Sequence, residues 1–344
     1  MSTPLRLGVV GCGAVTERYH LPALVASPDV EPVAFVDAAL ERARALAARA
    51  GAPFALSNHR ELPGKIDLAL VAVPNAFHER VTVDLLAAGI HVLVEKPMAR
   101  TTAECDRMIA SAAASGRLLA VGHDFRQYPV AGFARALFSA GLLGRVRRVD
   151  VQQSAGGRWP CVSAAVLSPE AGGGVLMDFG VHLLDLLLWW LGDLRALAYR
   201  DDAEGGVEAE CDCEFALANG APVHLELSRT RALRDTAVIE CENGSVEIGV
   251  FEPAVVRLRL PGGGPALDAR VPDQEFEGAP LRVVFARQLA DVVGAIRGGR
   301  PPLVSGVEGR RVVALVEACY ALRRPLRRSW DYPEVYASLG KATP

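Results

Sequence analysis

Lysine is almost absent from this chain. Lys65, Lys96 and Lys341 are the only three among 37 basic residues. Lys96 stands in Glu95-Lys96-Pro97, directly after the apolar run that begins at His91. The C-terminal end of a sheet strand is where open α/β sheets bind ligands. An ammonium there can donate to a reacting oxygen and shift a neighbour's pKa, work that a permanently charged guanidinium does differently. The plain alternative is an exposed strand-end charge. A second group is Gly172-Gly173-Gly174 followed by Asp178, His182 and Asp185, leading into the apolar run Leu186–Leu191. At helical spacing these three polar residues fall at i, i+4 and i+7 on one face. The rest of 181–191 is apolar, so an ordinary solvated face accounts for them poorly. His182 suits proton exchange near neutral pH, with Asp178 orienting it or binding substrate. The competing account is a satisfied core histidine with an acidic neighbour.

A third feature precedes both. The run Leu5–Val10 enters Gly11-Cys12-Gly13-Ala14-Val15-Thr16, a G-x-G-x-x-T version of the loop that cradles a dinucleotide. Gly11 allows the tight turn, Gly13 lets a pyrophosphate approach the backbone, and the following helix start favours its charge. Thr16 replaces the usual third small residue and is expected to loosen helix–strand packing slightly. Asp37, at the end of the next apolar run, is correctly spaced to take the adenosine ribose hydroxyls. Its charge would repel a 2′-phosphate, which favours NAD over NADP; Arg42 and Arg44 nearby moderate that preference.

The elements that must hold these groups follow from hydrophobic pattern. Leu5–Gly11, Pro32–Asp37, Asp67–Pro74, His91–Pro97 and Leu118–Gly122 are short, nearly continuous apolar runs, as in parallel strands buried on both faces. Helical stretches alternate with them: Ala39–Ala50 before Gly51, Glu79–Ala88 before Gly89, and one from Thr101-Thr102 to Gly116. That alternation predicts a doubly wound α/β sheet. After about Asp124 period-two patterns take over, at Val146–Val151, at Cys211, Cys213, Phe215 and Leu217, and at Val223, Leu225 and Leu227. Asn219-Gly220 and Asn243-Gly244 mark turns. Helical stretches follow at 283–296 and 308–322. The second part is expected to be α+β, with an open, mainly antiparallel sheet.

Composition limits the function. The 344 residues carry a net charge of −3 and 51% hydrophobic residues, which suits two globular domains and argues against disorder or a basic nucleic-acid binder. The most apolar stretch, 181–191, is about half a membrane span, and the N-terminus lacks the pattern of a secretion signal. Seven cysteines without C-x-x-C spacing suggest reduced cytoplasmic thiols, most of them core residues, and no metal site is expected.

These blocks together resemble the Gfo/Idh/MocA oxidoreductase family over nearly the whole chain. The resemblance rests on Gly11-Cys12-Gly13, Asp37, Ala72-Val73-Pro74-Asn75 with His78, Ala88 through Glu95-Lys96-Pro97, Gly122 with Arg126 and Pro129, and Gly173-Gly174 through Asp178, His182 and Asp185. It implies a Rossmann domain at 1–123. It also implies a substrate-binding and oligomerisation domain at 124–344, whose C-terminal helices pack back on the first. The implied reaction is NAD(P)-dependent hydride transfer at a hydroxyl or ketone carbon of a sugar, cyclitol or related polyhydroxy compound. Lys96, Asp178 and His182 match the catalytic positions. The cofactor would be held by residues 11–15, Asp37, Arg42, residues 72–75, His78, Glu95, Lys96 and Arg126. The substrate would meet Lys96, His123, Asp124, Arg126, Trp159, Asp178 and His182. His123-Asp124 departs from the family's usual residues at those positions. A homodimer or homotetramer through the C-terminal sheet is implied, with neither nucleic acid nor membrane as partner. The competing functions are an NAD-using hydrolase or eliminase without net redox, and a dinucleotide-sensing regulatory protein; a sensor has no need of Lys96, Asp178 and His182 together.

Overall fold

The computed structural model describes residues 3–154, 168–169, 171–204, 206–249, 255–262, 264–271 and 280–326. The first 122 residues alternate strand and helix: β1 (Leu5–Val10), α1 (Leu21–Ala26), β2 (Val30–Val36), α2 (Leu40–Ala50), β3 (Phe54–Leu56), β4 (Leu68–Val71), α3 (His78–Ala87), β5 (His91–Glu95), α4 (Thr102–Ser115) and β6 (Leu119–Gly122). The strands pair in parallel in the order β3-β2-β1-β4-β5-β6. This is the doubly wound sheet expected from the apolar runs. Its helix ends obey local rules. Gly51 and Gly116 close α2 and α4 in the left-handed conformation, and Thr101 with Glu104 forms a capping box at the start of α4.

A second sheet of nine strands follows. Its elements are α5 (Pro129–Ser139), β7 (Val146–Ser154), α6 (Val181–Leu191), β8 (Leu194–Asp201), β9 (Glu210–Leu217), β10 (Pro222–Ser228), β11 (Thr236–Cys241), β12 (Gly244–Gly249), β13 (Val255–Arg259), β14 (Leu267–Arg270), α7 (Pro280–Gly298), α8 (Gly306–Ala321) and β15 (Arg323–Pro325). The order is β14-β13-β12-β11-β7-β10-β9-β8-β15. The pairs β7–β10 and β8–β15 are parallel and the others antiparallel. The sheet is therefore mixed but mainly antiparallel. Cys211, Cys213, Phe215, Val223, Leu225 and Leu227 alternate inward and are buried against α5, α6 and α8. Six described cysteines are free and buried, while Cys161 lies outside the described residues.

The late helices return to the first sheet. Leu289, Val292 and Val293 of α7 share a core with β1, α1 and α2, each such burial being worth about 1.5–3 kcal/mol. Val304 and Val313 join the core on the opposite face. Val121 donates to the Val304 carbonyl at 3.1 Å, so the segment before α8 lies along the edge of β6. Among the described residues no helix is long and apolar enough to cross a membrane.

Candidate active site

The glycine loop fits the end of a dinucleotide. Gly11 has φ +102°, and a Cβ there would lie 2.3 Å from the Ala72 carbonyl oxygen, so only glycine fits. A Cβ on Gly13 would meet nothing within 4 Å, which leaves open the side from which a pyrophosphate would approach. Asp37 sits beyond β2, accepting from Cys12 N and from Ala39 N, each at 2.8 Å. Its carboxylate is thus held beside the loop. Thr16 is buried and its hydroxyl donates to the Gly11 carbonyl at 2.6 Å, a tie across the turn that a Gly or Ala would lack. Ala14 and Val15 are half-buried beside it, and Arg42 is exposed at the start of α2.

The loop 72–75 and the Glu95-Lys96-Pro97 segment adjoin this end of the sheet. Asn75 Nδ2 donates to the Gly172 carbonyl at 3.0 Å. The His78 ring is buried between the Val73 and Pro97 carbonyl oxygens, both 2.8 Å away. It is a strut between the two loops rather than a surface offered to a ligand. Glu95 is buried, with Oε1 2.7 Å from His20 Nε2 and Oε2 accepting from Lys96 N at 3.0 Å. Burial pushes its carboxyl up, but His20 and Lys96 outweigh that and hold it below the usual range.

Lys96 reaches across to the second part of the chain. Nζ donates to Asp178 Oδ1 and to the Asp178 carbonyl, each at 2.9 Å. Burial works against the ammonium, yet Asp178 wins and the Lys96 pKa is raised. Asp178 lies in a wide turn at Leu176–Gly180, which runs directly into α6. Its other oxygen accepts from Arg229 Nη2 at 2.7 Å, and the two cations hold its carboxyl low against the pull of burial. Arg229 also lies over the Phe179 ring, 5.1 Å from its centroid. Behind the turn, Gly174 has φ +116°, and a Cβ there would lie 2.4 Å from Glu208 Oε1. That oxygen accepts from Leu176 N at 3.1 Å and from Tyr320 Oη at 2.9 Å.

His182 is buried one turn further on. Its ring stacks on Phe125, with centroids 4.1 Å apart and planes at 20°, and meets the edge of His123 at 6.3 Å. Nδ1 is 3.3 Å from Asp124 Oδ1. Burial, then the charges of Lys96 and His123, push the His182 pKa well down, so the ring is neutral. Burial and Glu95 push Asp124 up to about 7 against the pull of Lys96. Neither ring nitrogen of buried His123, nor Nδ1 of His182, makes a hydrogen bond among the described residues, so the Asp124 approach is one of proximity.

Two site expectations require correction. The acids and histidine of 178–185 do not act as one stripe: Asp178 faces Lys96 and Arg229, His182 faces Asp124, and Asp185 pairs with Arg126. The carboxylate beside His182 is therefore Asp124, not Asp178. Arg126, expected to touch cofactor and substrate, is 3% exposed with its donors engaged. Nε and Nη2 bind Asp185 at 2.8 and 2.7 Å, and Nη1 binds Glu308 at 2.6 Å and the Leu303 carbonyl at 3.0 Å. It clamps α6 to the start of α8. Trp159 lies outside the described residues. Arg229 and Glu208 were not expected: one arginine after a strand is hidden among many, and a buried glutamate between strands has no spacing signature.

Comparison with known proteins extends this geometry. A model described as an oxidoreductase family with an NAD-binding Rossmann fold matches residues 5–123, and a Gfo/Idh/MocA C-terminal domain model matches residues 133–247. A chain from Amycolatopsis mediterranei, described as a UDP-kanosamine synthase oxidoreductase subunit, is 37% identical over 92% of this chain and 95% of its own. The dTDP-3,4-didehydro-2,6-dideoxy-alpha-D-glucose 3-reductase of Streptomyces violaceoruber is 35% identical over 59% of this chain and 60% of its own. The crystal structure of KijD10, a 3-ketoreductase from Actinomadura kijaniata in complex with NADP and TDP-benzene, has the same fold. It superimposes with a TM-score of 0.81 at 23% identity, covering 94% of this chain and 99% of that one.

Proposed function

The chain belongs to the Gfo/Idh/MocA family of NAD(P)-dependent, sugar-modifying oxidoreductases, and from that premise we propose that it transfers a hydride at C3 of a hexopyranose carried on a nucleoside diphosphate. The carrying observation is the juncture at which Lys96, from the end of β5, is tied at 2.9 Å to Asp178, with His182 following on α6. The regiochemistry and the nucleotide carrier are suggested by the named relatives: one is described by a UDP-sugar product and another as a dTDP-sugar 3-reductase.

When bound, a nicotinamide dinucleotide supplies or accepts the hydride. Residues 11–15 and Asp37 would hold its adenosine and pyrophosphate end. NAD is the favoured form, with NADP as the alternative, because the charge of the Asp37 carboxylate would repel a 2′-phosphate. Residues 72–75 would line its path toward Lys96. The Lys96 ammonium hydrogen-bonds the substrate oxygen and stabilises negative charge as it develops there. His182 Nε2 takes the hydroxyl proton in oxidation and returns it in reduction. Asp178 holds the ammonium in place and keeps it charged.

Residues 1–123 serve as the dinucleotide-binding domain and 124–344 as the substrate-binding and oligomerisation domain. Charged strands of the second sheet, with Asp150, Asp212, Glu214 and His224 along β7, β9 and β10, are the face through which copies of the chain pair. The chain's six described cysteines, buried and unlinked, suit the cytoplasm.

The test is a panel of UDP-glucose, dTDP-glucose, glucose, a methyl glucoside and myo-inositol, followed at the reduced-nicotinamide absorbance. Nucleotide sugars are expected to turn over best. Lys96→Ala and His182→Ala should each abolish turnover while NAD still binds. Preference for a free sugar or cyclitol overturns the proposed substrate, and an active His182→Ala enzyme overturns the proposed proton path.

A further inference from the structure

His182 is approached on three sides by the consecutive residues His123, Asp124 and Phe125. Asp124–Gln127 forms a single 3-10 turn just past β6, beyond the C-terminal edge of the first sheet. Phe125 covers a face of the imidazole, His123 meets it edge-on, and Asp124 approaches Nδ1 at 3.3 Å. Both partners of that approach are buried, their side chains 9% and 10% exposed. Asp178 is committed elsewhere, one carboxylate oxygen to Lys96 and the other to Arg229. Asp124 is thus the one carboxylate within ion-pair distance of His182 among the described residues.

We propose that Asp124 is the positioning residue of His182, forming with it a buried aspartate–histidine couple that fixes Nε2 as the atom exchanging a proton with substrate. The proposal rests on the reading of His182 as the proton-exchanging group. Its consequence follows from proton counting on two groups. With Asp124 ionised, the neutral ring would carry its proton on Nδ1, on the side of the carboxylate 3.3 Å away, and present a lone pair at Nε2. In alcohol oxidation the substrate O–H bond breaks and an Nε2–H bond forms, while the carbon's hydride leaves with its electron pair to the oxidised dinucleotide. With one more proton on the couple, Nε2 carries hydrogen and acts as the acid for ketone reduction. One carboxylate therefore decides which direction of proton transfer the ring is ready for.

The surroundings place that change near neutral pH. Asp124 faces Glu95 and Lys96 at the end of β5, Asp185 and His182 on α6, and Tyr128 on its own segment; His182 faces Lys96 and His123. Burial and Glu95 raise the Asp124 carboxyl to about 7 while Lys96 restrains it.

The experiment needs no substrate for its first reading. Protein labelled with 15N in its histidines is titrated from about pH 5.5 to 8.5, and His182→Gln assigns the resonances. In the wild type the His182 proton should sit on Nδ1 above the Asp124 transition, with Nε2 protonated below it. In Asp124→Asn that pH-dependent change should vanish. With UDP-glucose as the probe, Asp124→Asn should lower kcat by about 30-fold or more, with KM within about threefold and the acid limb of the profile lost. Asp124→Glu should restore part of kcat. A wild-type ring protonated on Nε2 throughout, or an Asp124→Asn enzyme with unchanged kcat and profile, overturns the proposal. If His182→Gln is inactive while Asp124→Asn is fully active, the couple alone fails. If His182→Gln turns over normally, the assignment of His182 fails with it.

Discussion

Asp178→Asn separates charge from position at the Lys96 contact. The carboxylate lies between two cations, Lys96 Nζ at 2.9 Å and Arg229 Nη2 at 2.7 Å, with side chains 19% and 17% exposed. Lys96 also donates to the Asp178 backbone carbonyl at 2.9 Å, a bond the substitution keeps. The ammonium therefore stays close to its place and loses a counter-charge. Coulomb's law at an effective dielectric of about 20 gives about 6 kcal/mol for unit charges at this separation. Residual solvent contact roughly halves it, to about 3 kcal/mol, equivalent to about two pH units. The sign is fixed by the causes: Asp178 raises the Lys96 pKa, burial lowers it, and Arg229 would repel an ammonium no longer screened from it. Removing Asp178 must move Lys96 down. If turnover needs the ammonium, the basic limb of kcat/KM should shift about two units toward neutrality. The assay is the kcat/KM profile from about pH 6 to 10 with UDP-glucose, alongside NAD affinity as a control for folding. A basic limb unmoved in a variant that still binds NAD would refute the assignment of that limb to Lys96.

Three further outcomes are expected. Asp37→Ala should weaken NAD at least about tenfold more than NADP, measured as a ratio of dissociation constants because loss of the Cys12 and Ala39 hydrogen bonds affects both; an unchanged ratio contradicts the specificity argument. Asp185→Asn leaves the buried Arg126 with Glu308 as its one paired carboxylate among the described residues, at a cost of about 3 kcal/mol, so calorimetry should show Tm lowered by about 6 °C at ~2 °C per kcal/mol; an unchanged Tm refutes the clamp. Buried His123 and His182 have lowered pKa values, so the unfolded chain takes up protons that they refuse and stability falls as pH drops below about 6.5, with Asp124 offsetting one of them. His224 is raised to about 9 by Asp212, and the stability it contributes below about 6.5 is lost as pH rises through about 9. Urea midpoints at pH 5.5, 7 and 9 should therefore peak near neutrality, and a midpoint still rising from 7 to 9 counts against the His224 assignment.

What the sequence made legible was local. The buried parallel strands declared themselves as apolar runs because both faces of that sheet are covered, and helix ends were marked by Gly51, Gly116 and Thr101 because capping is decided within a few residues. Three-residue β3 gave no such signal, since Phe54–Leu56 is partly exposed and too short to show a period. The parallel pairing of β7 with β10 was equally silent, because it joins strands about 74 residues apart and no local turn links them. At the site, Lys96 and His182 stood out by rarity and spacing. Their partners did not: spacing makes Asp178 the neighbour of His182, four residues away, whereas its contacts are 82 and 51 residues distant.

Those distant contacts explain why the site lies where it does. Lys96–Asp178 and Asn75–Gly172 join the C-terminal edge of the first sheet to the turn before α6. Thr102 N donates to Glu317 at 3.1 Å and Arg310 pairs with Asp106, so α4 and α8 are bound on the same side. Arg126, buried and hydrogen-bonded through all three of its nitrogens, joins the turn after β6 to α6 and to Glu308. The turn bearing Asp124 is thus fixed at one end to β6 and at the other to the helix that carries His182. A proton-transfer group gains rate from being held at its working position before substrate arrives. Here that holding is done by links between segments far apart in the chain, and the ammonium meets the imidazole's neighbourhood only because both halves are folded. Loss of any one link should therefore be felt first in kcat, through displaced reacting groups, and only later in dinucleotide affinity, since the glycine loop and Asp37 lie wholly within the first sheet's own turns.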